Sequence, residues 1–240
     1  MNIGLAGYGK MGRTIEQLAI NKGHSIGVIL NKAEDWNTQK HLFDNIDVFI
    51  EFTQPDAAVP NLTRLLKEGH RVITGTTGWL NKYNDVKDIC LEHGGALLFA
   101  SNFSIGMNLL FELNRQLAKW TNDLSEFSIA VEETHHIHKK DSPSGTAVTL
   151  LEDITRQNSK YQGWKLTEDQ PGPYDIPVTA IREGEVYGIH QVQYTGTHDL
   201  LTIRHKALSR DGFASGALLA AEWINGRQGV FTMRDVLHQR

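Results

Sequence analysis

Residues 132–147 hold the densest chemistry of this chain. His135, His136, His138, Lys139 and Lys140 stand within a few positions of one another, and Ser142-Pro143-Ser144-Gly145-Thr146 follows as a turn that opens a helix. Histidine is the side chain that titrates nearest neutrality, so it can give or take a proton at working pH. Lysine adds a fixed positive charge. A helix N-terminus adds free backbone N–H groups and the positive end of the helix dipole. Together these groups describe a pocket that holds an anion and donates a proton to it. A metal patch is the competing reading of a His-rich run. Zinc sites gather ligands around one ion and draw some from elsewhere in the chain. Here no H-E-x-x-H occurs and Cys90 is the only cysteine, so no metal is expected. Paired lysines are commonly a solvated face, but a plain loop rarely needs so many titratable groups beside a helix start.

The N-terminus gives the second signal. Asn2 to Ala6 reads as a short buried strand, and Gly7-Tyr8-Gly9-Lys10-Met11-Gly12 follows, ahead of a helical pattern through Ile15, Leu18 and Ala19. This is G-x-G-x-x-G between a strand and a helix. Gly7 permits the tight turn, Gly9 lets backbone approach a pyrophosphate, and Gly12 permits close packing of helix on strand. Dinucleotide sites usually place an acid at the end of the second strand. That strand reads as Ser25 to Leu30, followed by Asn31 and Lys32; Glu34 and Asp35 come too late. Asn31 can hydrogen-bond a ribose and Lys32 can pair with a 2′-phosphate. The pattern leans toward NADPH, or use of both NADPH and NADH, over strict NADH.

Glu133 to Ala147, read as E-x-H-H-x-x-K-x-D-x-P-S-G-T-A, resembles the signature of dihydrodipicolinate reductases. Further segments match in order: Gly7 to Arg13, Gly75-Thr76-Thr77-Gly78, Ala100 to Asn108, Arg182-Glu183-Gly184, Gly188-Ile189-His190 and Ser209 to Ala217. The resemblance implies NAD(P)H-dependent reduction of a cyclic dicarboxylate imine on the diaminopimelate route to lysine. It implies that His135 is the acid, with Lys139 as its partner in donating the proton. His136, Gly145 and Thr146 would bind substrate. Gly7, Tyr8, Gly9, Lys10, Met11 and Gly12 would hold the pyrophosphate. Asn31 and Lys32 would face the ribose, and Gly75, Thr76, Thr77, Ala100, Ser101, Asn102 and Phe103 the nicotinamide half. A cytoplasmic homotetramer is implied as well. Ser142 stands where alanine is usual, Lys140 where a small apolar residue is common, and Asn31 where an acid is common.

The residue chemistry agrees with that reaction. Reducing a conjugated C=C–C=N system leaves an enamine-like carbon that must be protonated, which asks for an acid near neutrality. Two carboxylates ask for cationic and N–H donors. Composition agrees too. A net charge of −4 and a pI near 6.2 leave no footprint for nucleic acid. One cysteine excludes an internal disulfide framework and fits a reducing compartment, and Cys90 itself reads as a small buried apolar residue. The start lacks a charged n-region with a long apolar core, so no signal peptide is expected, and no apolar run is long enough for a membrane helix.

Strand and helix alternate through the first part. Strands are expected at 48–52, 71–74 and 96–100, with helices from 55 to 68 and 81 to 93; 31–47 is too irregular to assign. From about Gly106 the pattern changes. A helix to Trp120 leads to a strand at 126–131, the His-rich loop and a helix at 146–157. Residues 158–174 read as a loop, and strands follow at 178–182, 188–194 and 200–208. An apolar helix from Phe213 to Ile224 would return to the first domain. The expected fold is α/β: a Rossmann-type, doubly wound parallel sheet (1–105 and 211–240), plus an α+β substrate-binding and oligomerisation domain with a mixed sheet (106–210). His190, His198 and His205 read as polar strand residues or loop donors. Arg182 and Arg204 read as surface or ion-paired, and Arg210 as a residue near the cofactor. A non-catalytic NAD(P)-sensing homologue is the alternative, but it would not need a proton donor. A related amino-acid or aldehyde dehydrogenase would lack the His-His-x-x-Lys loop.

Overall fold

The computed structural model describes residues 1–238; the last two residues of the expected 211–240 segment, Gln239 and Arg240, lie outside the described residues. The chain divides into two compact units, Met1–Ser104 with the chain from Arg210 onward, and Ile105–Ser209.

The first unit runs β1 (Asn2–Ala6), α1 (Lys10–Asn21), β2 (Ser25–Leu30), α2 (Asp35–Thr38), β3 (Val48–Glu51), α3 (Pro55–Lys67), β4 (Arg71–Thr74), α4 (Tyr83–Glu92) and β5 (Ala96–Phe99). The second contains α5 (Ile105–Trp120), β6 (Ser128–His135), α6 (Gly145–Gln157), β7 (Gly163–Leu166), β8 (Asp175–Arg182), β9 (Ile189–Thr195) and β10 (Leu200–Lys206). The chain then returns to the first unit with α7 (Asp211–Ile224), β11 (Gly229–Phe231) and α8 (Met233–His238).

The first unit's sheet has the order β11-β5-β4-β3-β1-β2, and all its pairings are parallel. Such a sheet must be covered on both faces, which is why its strands are short apolar runs. On one face Ile3, Leu5, Ile50 and Leu98 meet Ile15 of α1 and Ala217, Leu218 and Ala221 of α7. On the other, Phe49, Val72 and Leu97 meet Leu62 and Leu66 of α3 and Val86 and Cys90 of α4. Each large side chain so buried contributes roughly 1.5–3 kcal/mol. The small residues of α7 have a specific use. A Cβ on Gly216 would lie 1.8 Å from the Phe103 carbonyl oxygen, so only glycine lets this helix touch the segment after β5.

The second unit's sheet has the order β10-β9-β6-β8-β7 and is mixed: β6, β8 and β7 run parallel, while β9 and β10 pair antiparallel. Leu110 and Phe111 of α5 and Leu150, Leu151 and Ile154 of α6 pack on Ile129, Val131, Val178 and Val192. Among the described residues no helix is long and apolar enough to cross a membrane.

Three readings of local structure change. β6 runs on past Val131 to His135, because its pairing with β8 continues through Thr134 opposite Ile181 and His135 opposite Arg182. His135 is therefore the last residue of a strand, not part of a loop. The segment 158–174 is not all loop: β7 pairs there on the edge of the sheet, half-buried and without a clear apolar alternation. Residues 31–47 form α2 and a short 3-10 helix, Lys40–Asn45, anchored by buried Trp36 and Phe43.

Candidate active site

In the first unit, the glycine loop after β1 opens on a cavity of about 950 Å³, within the usual size of small-molecule sites. Gly7 has φ +95°, and a Cβ there would lie 2.1 Å from the Phe52 carbonyl oxygen. A Cβ on Gly12 would lie 2.4 Å from the Gly7 carbonyl oxygen, so Gly12 seats α1 against the loop. Gly9 differs: nothing lies within 4 Å of its added Cβ, so the backbone there faces open space. Gly9 is the N-cap of α1 and offers no side-chain cap, and the first turn carries no acid. Free N–H groups and an uncompensated dipole end suit a pyrophosphate. The residues present therefore fit a dinucleotide.

Gly7, Tyr8, Gly9, Lys10, Met11, Asn31, Lys32, Gly75, Thr76 and Thr77 all line this cavity. Ala100, Ser101, Asn102 and Phe103 are not among its lining residues. Phe103 is buried, its ring centroid 5.7 Å from that of Phe52, which does line it. The loop after β2 has a further surprise. Asp35 turns back, and its Oδ2 accepts from the backbone N–H of Asn31 (2.8 Å) and Lys32 (2.7 Å). Asn31 Oδ1 in turn accepts from the Tyr8 N–H at 3.2 Å, bracing the glycine loop. Trp36 and Arg64 line the same cavity, and Arg64 donates to the Trp36 carbonyl at 2.7 Å. Sequence reasoning passed over both, because neither belongs to a motif.

In the second unit, β6 ends at His135 and α6 begins at Gly145. The residues between them form the His-rich loop. Ser144 caps α6, its Oγ accepting from the Ala147 N–H at 3.2 Å. Nothing lies within 4 Å of a Cβ added to Gly145, so the helix start opens on free space. Lys139 Nζ donates to both oxygens of Asp141, at 2.8 and 2.9 Å. Partial burial pushes the Asp141 carboxyl up, but the Lys139 ammonium and backbone N–H groups, Gly145's included, hold it lower than usual overall. His136 has a buried, unpartnered Nδ1. His138 is exposed near Glu185 at 3.5 Å.

His135 is buried among Glu133, to which the sequence reading gave no role, and Arg182 and His190, which it set aside. Glu133, fully buried, accepts at Oε1 from the Ser144 N–H (2.9 Å) and from Arg182 Nη2 (3.0 Å). Its Oε2 lies 3.4 Å from His135 Nδ1 and 3.7 Å from His190 Nε2. His190 Nε2 is also 3.3 Å from Ser144 Oγ. Burial pushes His135 down to about 4 against the pull of Glu133, with Lys139 and Arg182 adding to the fall. Burial, with His135 beside it, takes His190 down to about 3. Both imidazoles are thus neutral at working pH. Glu133, Arg182 and His190 could have been found from strand alternation. Glu133 and His135 are two apart on one strand, and His190 and Arg182 are their cross-strand partners.

Comparison with known proteins bears on the same regions. The family model for the N-terminus of dihydrodipicolinate reductase matches residues 1–103, and that for its C-terminus matches 106–237. The chain is 46% identical over 238 residues to the 4-hydroxy-tetrahydrodipicolinate reductase of Christiangramia forsetii, covering 99% of this chain and 98% of that one. It is 34% identical to the enzyme of the same name from Methanopyrus kandleri, over 97% of this chain and 94% of that one. The fold matches that of a dipicolinate-bound dihydrodipicolinate reductase from Paenisporosarcina sp. TG-14, with a TM-score of 0.76 at 19% identity over 97% of each chain. Matched by that family's models in both parts and by these relatives over nearly its whole length, the chain belongs to the dihydrodipicolinate reductase family.

Proposed function

We propose that this protein is a 4-hydroxy-tetrahydrodipicolinate reductase that makes tetrahydrodipicolinate in the diaminopimelate route to lysine. The observation that carries this reading is the position of Asp141. Its carboxylate sits on Lys139 Nζ, and the nearby Gly145 N–H helps to hold it ionised. An internal carboxylate thus occupies the ammonium that a substrate carboxylate needs, beside a buried imidazole.

The 4-hydroxyl of the substrate first leaves as water together with a hydrogen from the neighbouring carbon, which gives a conjugated C=C–C=N system; the reduction then adds one hydride and one proton. Hydride forms a C–H bond at one end of the conjugated C=C–C=N system. The displaced electron pair spreads over carbon and nitrogen, and a proton delivered to carbon restores the C=N bond. Bound NAD(P)H supplies the hydride. Gly7 to Gly12 hold its pyrophosphate, and the loops at Asn31 and Gly75 line its site. Lys139, His136, Gly145 and Thr146 hold the substrate carboxylates. His135 delivers the proton. It is neutral when the site is empty, and two carboxylates beside it favour the charged form, so the substrate creates the acid that serves it.

Lys32 favours NADPH over NADH by several-fold, an exposed charge contributing only about 1 kcal/mol, and both cofactors work. The enzyme acts in the cytoplasm as a homotetramer assembled through the second unit, a reading supported by exposed Leu200 and Leu201 on the edge strand β10.

The test is consumption of NAD(P)H with freshly made pathway substrate. His135→Gln should lower kcat about 10²- to 10⁴-fold while NAD(P)H affinity stays unchanged, and 2,6-pyridinedicarboxylate should compete with substrate. A wild type without turnover would reject the reading; an undiminished kcat in the variant would remove His135 from its role.

A further inference from the structure

We propose that Glu133 is the positioning residue of this site, one buried carboxylate that fixes the tautomer of His135 and ties it to the start of α6. The proposal rests on the reading of His135 as the proton donor.

The geometry begins with strand alternation. Glu133 and His135 project from the same face of β6. Across the ladder, His190 on β9 stands opposite Glu133, and Arg182 on β8 stands opposite His135. Four groups from three separated stretches of sequence therefore meet on one patch of sheet. The carboxylate divides its work between its two oxygens. Oε1 is held by the Ser144 N–H at 2.9 Å and the Arg182 guanidinium at 3.0 Å. Arg182 Nη2 also donates to the Asp141 carbonyl at 2.6 Å, so it reaches into the substrate loop as well. Oε2 is left for the imidazoles.

Glu133 Oε2 and His135 Nδ1 are both buried, and neither makes a hydrogen bond. They lie 3.4 Å apart. An unpaired buried polar atom costs about 1–3 kcal/mol. Two such atoms this close are satisfied together once a small turn of the ring aims an Nδ1 proton at the oxygen, and a carboxylate can only accept. The neutral imidazole then keeps its hydrogen on Nδ1 and leaves Nε2 as the basic atom that takes up and gives the catalytic proton. Gly188 preserves room at that atom. Its φ is +148°, and a Cβ there would lie 3.1 Å from His135 Nε2. A glutamine at 133 would face the Ser144 and Arg182 donors and the Nδ1 proton with only one accepting oxygen.

The same carboxylate reaches the anion site. Ser144, whose N–H it accepts, is the N-cap of α6, and Gly145 and Thr146 follow directly. Proton donor and carboxylate donors are thus referenced to one buried atom pair.

The experiment reads the tautomer and the kinetics separately. Nitrogen-15 histidine NMR of the full-length protein, with His135→Gln assigning the signals, should show His135 protonated at Nδ1. Glu133→Gln should move that proton to Nε2. It should lower kcat about 10²-fold, as loss of an imidazole's orienting carboxylate does elsewhere, with NAD(P)H affinity unchanged and the pH profile of kcat displaced. Glu133→Asp should restore part of kcat. A wild type protonated at Nε2 overturns the proposal whether or not Glu133→Gln folds. So does a Glu133→Gln protein with unchanged tautomer and kcat. Glu133, His135 and His190 also offer ligand atoms within 4.8 Å of one another. A stoichiometric transition metal on them in the purified protein would overturn the proposal too, making the carboxylate a ligand. Failure of the functional reading looks different: wild-type turnover is then absent while the tautomer shift persists.

Discussion

Glu51 and Glu133 are both fully buried at or near the carboxyl end of a strand, one in each unit, and they are held in opposite ways. Glu51 accepts from neutral donors: the Thr53 N–H at 3.1 Å, the Thr76 hydroxyl at 3.0 Å, and the hydroxyls of Thr74 and Thr53. Glu133 shares its charge with a guanidinium and two imidazoles. The first arrangement contains no partner that titrates near neutrality. It pins the loops after β3 and β4 in one place, and those loops line the dinucleotide cavity. The second couples a carboxylate to groups that gain and lose protons. A buried charge thus serves as a fastener in one unit and as part of a proton circuit in the other.

The strongest way to break this contrast is Glu51→Gln. It puts an amide N–H₂ against hydroxyl donors at a fully buried position, and should cost about 2–4 kcal/mol of stability. NAD(P)H affinity should fall about tenfold as Thr53 and Thr76 loosen, with the pH profile of kcat unmoved. Urea unfolding and cofactor titration measure both. A displaced pH profile would mean that Glu51 also belongs to a proton circuit.

The next effect is the pH dependence of stability. His135 and His190 have folded-state values of about 4 and about 3, below the ordinary value of 6.5. The unfolded chain therefore binds more protons between 4 and 6.5, and stability must fall as pH falls through that window. Each histidine contributes a slope of up to about 1.4 kcal/mol per pH unit. Calorimetric melting from pH 7 to 5 should show the loss, and His190→Gln should flatten it. A melting temperature indifferent to pH over that range would show that the imidazoles are not held neutral.

The smallest effect belongs to the exposed rim of the first unit. Lys32→Ala should weaken NADPH by several-fold and leave NADH alone, with the difference shrinking as salt rises. An equal loss for both cofactors would move the 2′ reading to another cavity-lining group such as Arg64.

How much of this was legible depended on whether a residue's neighbours in space are its neighbours in sequence. The glycine loop was readable because strand, turn and helix follow within a dozen residues, and the backbone demands of Gly7 and Gly12 leave a fixed pattern. Lys139, Gly145 and Thr146 were readable for the same reason. Glu133 was hidden because β6 appeared to stop at Val131, and its partners Arg182 and His190 arrive from two other strands. The role of Asp35 was hidden in another way. Its position says nothing of a side chain that folds back on its own loop. β7 left no clear pattern because an edge strand half-buried on both faces has no need of one.

Cys90, the only thiol in the chain, lies on the buried face of α4 with its Sγ 3.6 Å from the Gly229 carbonyl of β11. Burial pushes its thiol up to about 11. Alkylating reagents attack the thiolate, so at neutral pH the native thiol is both hidden and protonated. Labelling then waits for the layer between α4 and the sheet edge to part. Its rate is a native gauge of breathing in the nucleotide-binding unit. Protection of that rate by added NAD(P)H would register cofactor occupancy on the far side of the sheet from α1, with no probe introduced and no turnover required.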